Sequence, residues 1–185
     1  MGAHASYITA VDLSHVLWIG GGQGTGKSAI ARALADRFDL RLYAVDDHDR
    51  AHEPRLPGVV PDLPPQATPA ELVESFVTMS RHRFRLVLED LAGFPPSPFA
   101  IVEGTQLFPT SVAAVLRDPR HALFVIPDLE GQPAARFDVL IAQRFAWEAR
   151  DLRLTTLVGG GPIDELVERA AAHFLPVLGQ SGSAP

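Results

Sequence analysis

Between the apolar run Val16-Leu17-Trp18-Ile19 and a stretch with Ile30, Ala31, Leu34, Ala35 and Phe38 at helical spacing lies the octapeptide Gly21-Gly22-Gln23-Gly24-Thr25-Gly26-Lys27-Ser28. A short apolar run ending in glycines reads as a buried parallel strand. The spacing that follows predicts a helix from Ser28 to Phe38. Strand, glycine turn and helix start, in that order, constrain the chain more than any other feature. Glycines let backbone N–H groups turn inward around an anion, and the helix end adds partial positive charge. Leu40 to Val45 predicts a second strand, which closes a βαβ unit of roughly 30 residues.

The octapeptide matches G-x-x-x-x-G-K-[ST] in full, the pattern of a loop that cradles a nucleotide triphosphate. In it Lys27 is expected to reach the β- and γ-phosphates and the Ser28 hydroxyl to ligate Mg²⁺. The 16 basic residues are 15 arginines and one lysine, and that lysine is Lys27. It stands where a compact ammonium on a flexible stem is wanted and a planar fork fits poorly. Guanine-specific proteins with this loop usually carry an N-K-x-D element, for which no lysine remains. The expected nucleotide is therefore ATP, with Mg²⁺.

Downstream, six prolines between Pro54 and Pro69 make regular structure unfavourable and suggest an ordered loop or a flap. Thr68 is placed to cap a helix that keeps apolar spacing from Leu72 to Leu91 and stops at Gly93 and Pro95-Pro96. Phe99 to Val102 predicts a third strand ending at Glu103-Gly104, and Thr110 to Arg117 a short helix. Ala122 to Ile126 predicts a fourth strand, Ala134 to Leu152 a helix and Leu154 to Val158 a fifth strand. The last helix starts at Asp164 and runs to His173 or a little beyond. Five strands alternating with helices imply a parallel sheet covered on both faces. We read residues 1–178 as one domain and 179–185 as a flexible tail.

Composition excludes several classes. A net charge of −6 and a pI near 5.6 argue against nonspecific nucleic-acid binding. The absence of cysteine rules out disulfides and thiolate metal sites. No apolar run approaches the ~20 residues of a membrane span. The N-terminus lacks the basic start and cleavage site of a signal peptide, so a cytoplasmic protein, monomer or homodimer, is expected.

The complete phosphate-loop match, with a strand before it and a helix after it, makes the chain resemble the small P-loop kinases, the group of nucleoside monophosphate kinase, shikimate kinase, gluconate kinase and chloramphenicol phosphotransferase. The resemblance covers residues 15–178; it is specific at Gly21–Ser28 and topological elsewhere. It implies a three-layer P-loop fold with sheet order 2-3-1-4-5, an acceptor pocket over the strand ends and a short, arginine-bearing lid. The activity implied is ATP-dependent transfer of the γ-phosphate to a hydroxyl (or phosphate) of a small metabolite or natural product. A regulatory or switch ATPase acting on a protein partner is the alternative.

Asp46, Asp47 and Asp49 follow the second strand at the edge where open α/β sheets bind ligands. By resemblance to shikimate-type kinases, aspartates here orient the acceptor hydroxyl and a metal-bound water. Asp47 is the first choice for the base, with Asp46 and Asp49 as alternatives. His48 and Arg55 border the same pocket and are further candidates for contact with the acceptor. His48, His52 and Glu53 are a weak metal set, because Pro54 breaks any helix that would align them. Glu103, after the third strand, is a candidate for a Mg²⁺-bound water or the acceptor, as Asp46 also is; a helix N-terminal charge would equally explain it. Arg136, near Gly131 and Pro133, is the candidate lid arginine for the charge that develops on the transferred phosphate. Gly159-Gly160-Gly161-Pro162 falls where the similar kinases have their adenine loop, although a tight turn explains it as well.

Overall fold

Apolar residues fill both faces of each central strand, and the period-2 pleat divides them between two cores. The computed structural model describes residues 12–56, 58, 66–130 and 136–179. In β1 (Val16–Gly21), Val16 and Trp18 enter one core while Leu17 and Ile19 enter the other. In β3 (Ala100–Glu103) and β4 (Ala122–Ile126), Val102 and Phe124 join Trp18, whereas Ile101, Leu123 and Val125 join Leu17.

With β2 (Arg41–Ala44) and β5 (Thr155–Val158), the sheet runs β2-β3-β1-β4-β5, every pair parallel. This is the order that the resemblance implies. Helix α1 (Lys27–Phe38) covers one face through Ile30, Ala31, Leu34 and Ala35. The other elements, in chain order, are α2 (Asp49–His52), α3 (Pro69–Leu91), α4 (Pro109–Ala113), α5 (Phe137–Asp151) and α6 (Ile163–Leu178). Helix α6 joins α1 through Leu166, Ala170, Phe174 and Val177. Helices α3, α4 and α5 cover the opposite face with Val77, Phe84, Val87, Val112, Ile141 and Phe145. The layers are helix, sheet, helix.

Local chemistry explains most boundaries. Thr68 and Glu71 form a reciprocal capping box and Pro69 occupies the first turn, which sets the start of α3. Strand β2 stops at Ala44, not Val45, because its partner β3 ends at Glu103, opposite Ala44. The chain then turns through a 3₁₀ segment, Val45–His48, directly into α2, so the acidic cluster is helical. Helix α4 ends at Ala113, short of Arg117, in i→i+3 turns from Val112 and Ala113. Helix α6 continues past His173 to Leu178 despite Pro176, since Phe174 and Val177 bury their side chains in the core. Half of the proline-rich segment from Pro54 to Pro69, the start expected for α5 at Ala134, and the tail beyond Gly179 lie outside the described residues.

Candidate functional site

Gly21, Gly24 and Gly26 all sit at positive φ (135°, 72° and 91°), a backbone that L side chains rarely adopt. Gly26 is the N-cap of α1, so no side chain caps that helix and its first turn holds no acid. Among the described residues, no carbonyl accepts from the N–H groups of Gln23, Gly24, Thr25 or Gly26. A helix N-terminus left open in this way, lined with spare donors, is an anion site. The loop is held in shape from within. The buried Thr25 hydroxyl donates to the Gly22 carbonyl at 2.9 Å, and Lys27 Nζ donates to the same oxygen at 3.2 Å.

Lys27 is only 7% exposed, and burial lowers its pKa from the usual lysine value, while Glu103 and Asp46 act to raise it. Glu103 closes β3 opposite Ile19 of β1 and Ala44 of β2 and is 5% exposed. Burial pushes its carboxyl above the ordinary glutamate range; the Ser28 hydroxyl and the Lys27 ammonium pull it down, and Asp46 and Asp47 push it up. Loop lysine, loop serine and strand-end carboxylate therefore share one electrostatic environment. A dication beside the Ser28 hydroxyl would relieve the cost of burying Glu103, and phosphate oxygens would take over Lys27 Nζ from the Gly22 carbonyl. The residues present fit Mg²⁺ and a triphosphate.

A cavity of about 190 Å³ adjoins the loop, lined by Gln23, Asp46, Phe76, Thr105, Gln106, Phe137, Asp138 and Ile141. It brings together the phosphate loop, the segment after β2, helix α3, the segment after β3 and the start of α5. Of the three aspartates after β2, Asp46 lines it, and Gln106 Nε2 donates to Asp46 Oδ1 at 2.9 Å. Asp47 is exposed and lies within the field of Glu103 without lining the cavity. Asp49 pairs with the buried Arg83 at 2.7 Å, which secures α2 to α3.

The other candidates are engaged elsewhere. His48 stacks on Tyr43 with ring centroids 4.0 Å apart, and its Nδ1 lies 3.0 Å from the Ala44 carbonyl, to which it donates. His52 is fully buried with Nε2 2.9 Å from Asp90 Oδ2, the oxygen that also accepts from Tyr43 at 2.6 Å. Arg55 pairs with Glu89 and Asp90. Among the described residues no group of three or more His, Asp or Glu side chains is arranged to hold a metal by itself. Arg136 forms a two-bond pair, at 3.0 and 2.6 Å, with Asp138, which lines the cavity. Gly131 and Pro133, on the approach to it, fall outside the described residues. Gly159 packs against the phosphate loop so closely that a Cβ there would lie 2.6 Å from the Thr25 carbonyl oxygen.

Sequence reasoning missed Gln106, Thr105, Asp138, Phe76 and Phe137. Thr105 and Gln106 follow Glu103 by two and three residues, and that position just past a strand at the ligand-binding edge is the signal that could have found them. Nothing in the spacing of Phe76 or Asp138 separates them from ordinary core and helix-start residues.

No protein-family model matches the sequence, and no curated protein matches it. Among solved structures the chain is similar to shikimate kinase from Aquifex aeolicus vf5, 17% identical with a TM-score of 0.52, covering 92% of this chain and 99% of that one. It is also similar to TT1252 from Thermus thermophilus, 22% identical with a TM-score of 0.51, covering 87% and 96%. A gluconokinase from Sinorhizobium meliloti 1021 matches at 12% identity and a TM-score of 0.48 over 91% and 95%. The first two likenesses show the fold alone, a five-stranded parallel sheet, in this chain ordered β2-β3-β1-β4-β5, with helices on both faces.

Proposed function

We propose that the protein transfers the γ-phosphoryl group of Mg·ATP to a hydroxyl of a small organic acceptor. The observation that carries this reading is that Gln23 of the phosphate loop and Asp46 beyond β2 are walls of one cavity. Its volume is below the roughly 300–1,000 Å³ of sites for drug-sized ligands, which favours a small acceptor over a macromolecular partner.

In this reading the loop N–H groups from Gln23 to Ser28 and Lys27 hold the phosphates, with Gly159 keeping the loop in place. Ser28 would ligate Mg²⁺, and Glu103, with Asp46 near it, would hold a water of that ion. The chemistry that the ion would supply there is neutralisation of charge on the phosphate oxygens. Asp46, fixed by Gln106, orients the acceptor hydroxyl and takes its proton as the new O–P bond forms. The bond from the γ-phosphorus to the bridging oxygen breaks, and ADP leaves. Asp46 takes precedence over Asp47 because it lines the cavity, while Asp49 is committed to Arg83. Arg136 turns from Asp138 toward the transferred group and serves as the lid arginine.

Acceptor-dependent ADP release tests this. Asp46→Asn is expected to keep Mg·ATP affinity within about threefold and cut kcat on the order of 10²-fold or more. A larger loss from Asp47→Asn would move the base by one residue. Near-normal turnover in Asp46→Asn, Asp47→Asn and Asp49→Asn alike would remove the acidic cluster from the mechanism. ATP hydrolysis stimulated by a macromolecule, and by no small acceptor, would favour a switch ATPase.

A further inference from the structure

Asp46 and Gln106 are held very differently. Asp46 is exposed, in the short 3₁₀ turn after β2, and among the described residues its carboxylate has one hydrogen-bond partner, Gln106 Nε2 at 2.9 Å. Gln106 is 7% exposed and stands on a segment tied on both sides. The Gly104 N–H donates to the Ile19 carbonyl of β1 at 3.2 Å. Thr110 donates through its N–H and its hydroxyl to the buried Glu148 at 3.1 and 2.8 Å. A Cβ on Gly104 would lie 3.0 Å from Gln106 Oε1, so the amide has its place because that residue is glycine.

Chemistry orients the amide. An ionised carboxylate only accepts, so the nitrogen of Gln106 and not its oxygen faces Asp46. Oε1 is then buried against Gly104 with no donor among the described residues, and a buried acceptor without a donor lowers stability. A side chain that served packing alone would do better as methionine, which fills similar space and leaves nothing to satisfy. The bond to Asp46 does not offset that loss, since water can replace Gln106 at an exposed carboxylate. A buried polar group kept against stability marks a place shaped for another purpose.

Building on the phosphotransfer reading above, we infer that Gln106 is a positioning residue that acts through Asp46 and decides which of its oxygens is the base. With Oδ1 engaged by the amide, Oδ2 is the oxygen presented to the acceptor hydroxyl. The hydroxyl proton passes to Oδ2, its oxygen forms the bond to the γ-phosphorus, and the bridging oxygen leaves with ADP. Gln106 gives up no proton and takes none. Without it the carboxylate turns among its rotamers in water, and a misplacement of about 1 Å costs up to on the order of 10²-fold in rate.

The test measures ADP release by the full-length protein with Mg·ATP and with water, glycerol, benzyl alcohol, shikimate, gluconate or a nucleoside as acceptor. Variants are compared on the acceptor that wild type turns over fastest. Gln106→Met is expected to lower kcat on the order of tenfold or more, keep Mg·ATP affinity within about twofold, and unfold in urea at or above the wild-type midpoint. In protein that already carries Asp46→Asn, adding Gln106→Met should cost less than about twofold, because a residue acting through another loses its effect when the other is gone. Gln106→Glu, which keeps the shape of the side chain, gives the sharper sign. Two facing carboxylates resist ionising together, so one proton held between them rebuilds the bond to Oδ1 as pH falls. Its kcat should climb as pH is lowered from about 8 to about 6, where that of wild type does not. A Gln106→Met variant that loses stability but keeps its kcat, independent losses in the double variant, or a Gln106→Glu profile parallel to wild type overturns the inference and leaves phosphotransfer intact. Full turnover by Asp46→Asn overturns the choice of base and the inference with it. No ADP release by wild type with any of these acceptors overturns phosphotransfer itself.

Discussion

Around the phosphate loop, the groups available to a ligand are backbone N–H donors, one lysine and one serine, all from eight consecutive residues. Across the shared wall at Gln23, the cavity takes side chains from α3, α5 and the segments after β2 and β3. The first half is set by glycine φ angles and one helix end, and is braced from outside by the backbone of Val125 and the close approach of Gly159. The second exists only once four separate elements have docked, and it is tied down by side-chain pairs such as Asp49–Arg83 and His52–Asp90. In the proposed reading the first holds the nucleotide and the second the acceptor.

The largest expected effect lies in the first half. Lys27→Ala should abolish the rise in melting temperature produced by Mg·ATP while the unliganded protein stays folded. As the sole lysine, Lys27 should also be the one side-chain amine labelled by an amine-reactive nucleotide probe, apart from the N-terminus. Mutant protein that still gained several degrees from Mg·ATP would break the assignment of this half.

A second prediction asks whether the backbone half is sensitive to its surroundings. Gly159→Ala puts a Cβ 2.6 Å from the Thr25 carbonyl oxygen and 3.0 Å from Val125 Cγ1, so the loop backbone has to move. Overpacking of this kind costs about 1–3 kcal/mol. Because the strain falls on the loop, Mg·ATP should bind roughly tenfold more weakly by calorimetry, with acceptor KM changed much less. Unchanged nucleotide affinity would mean that β5 and its glycine turn do not set the shape of the loop.

The same division explains what could be read from the sequence. The loop, its strand and its helix are contiguous, so residue type and spacing suffice; the capping box at Thr68 and Glu71 is legible for the same reason. Glu103 and the aspartate cluster could be placed at the ligand edge by topology, but not resolved residue by residue. Whether Asp46 or Asp47 turns to the cavity depends on the 3₁₀ twist of Val45–His48, which starts because β3 offers no further partner to β2. Phe76 and Gln106 lie 30 residues apart in sequence and meet only through tertiary packing, so no local pattern could join them.

The smallest effect concerns the ties that hold the second half. Asp90, near the end of α3, accepts from the Tyr43 hydroxyl at 2.6 Å and from His52 at 2.9 Å, which anchors both ends of the segment bearing Asp46. Burial raises the Asp90 carboxyl, but the hydrogen bonds from Tyr43 and His52 outweigh it and hold the carboxyl below its usual range. A depressed pKa means that the unfolded chain binds the proton more readily, so the stabilisation is complete above the ordinary aspartate value and is lost as pH falls through the folded one. Asp90→Asn replaces the charged acceptor with a neutral one, at a cost of about 1–3 kcal/mol at pH 7. Urea unfolding should show that deficit constant from pH 7 to 5 and shrinking below about pH 4, where the unfolded wild-type chain takes up the Asp90 proton before the folded one does. Loosening the segment should raise acceptor KM a few-fold and leave Mg·ATP affinity alone, since no atom of the phosphate loop depends on Asp90. A deficit that persisted unchanged at pH 3 would show that the aspartate acts through shape and not charge. An equal loss of nucleotide affinity would show that the two halves are one cooperative unit, and the comparison between them would fail.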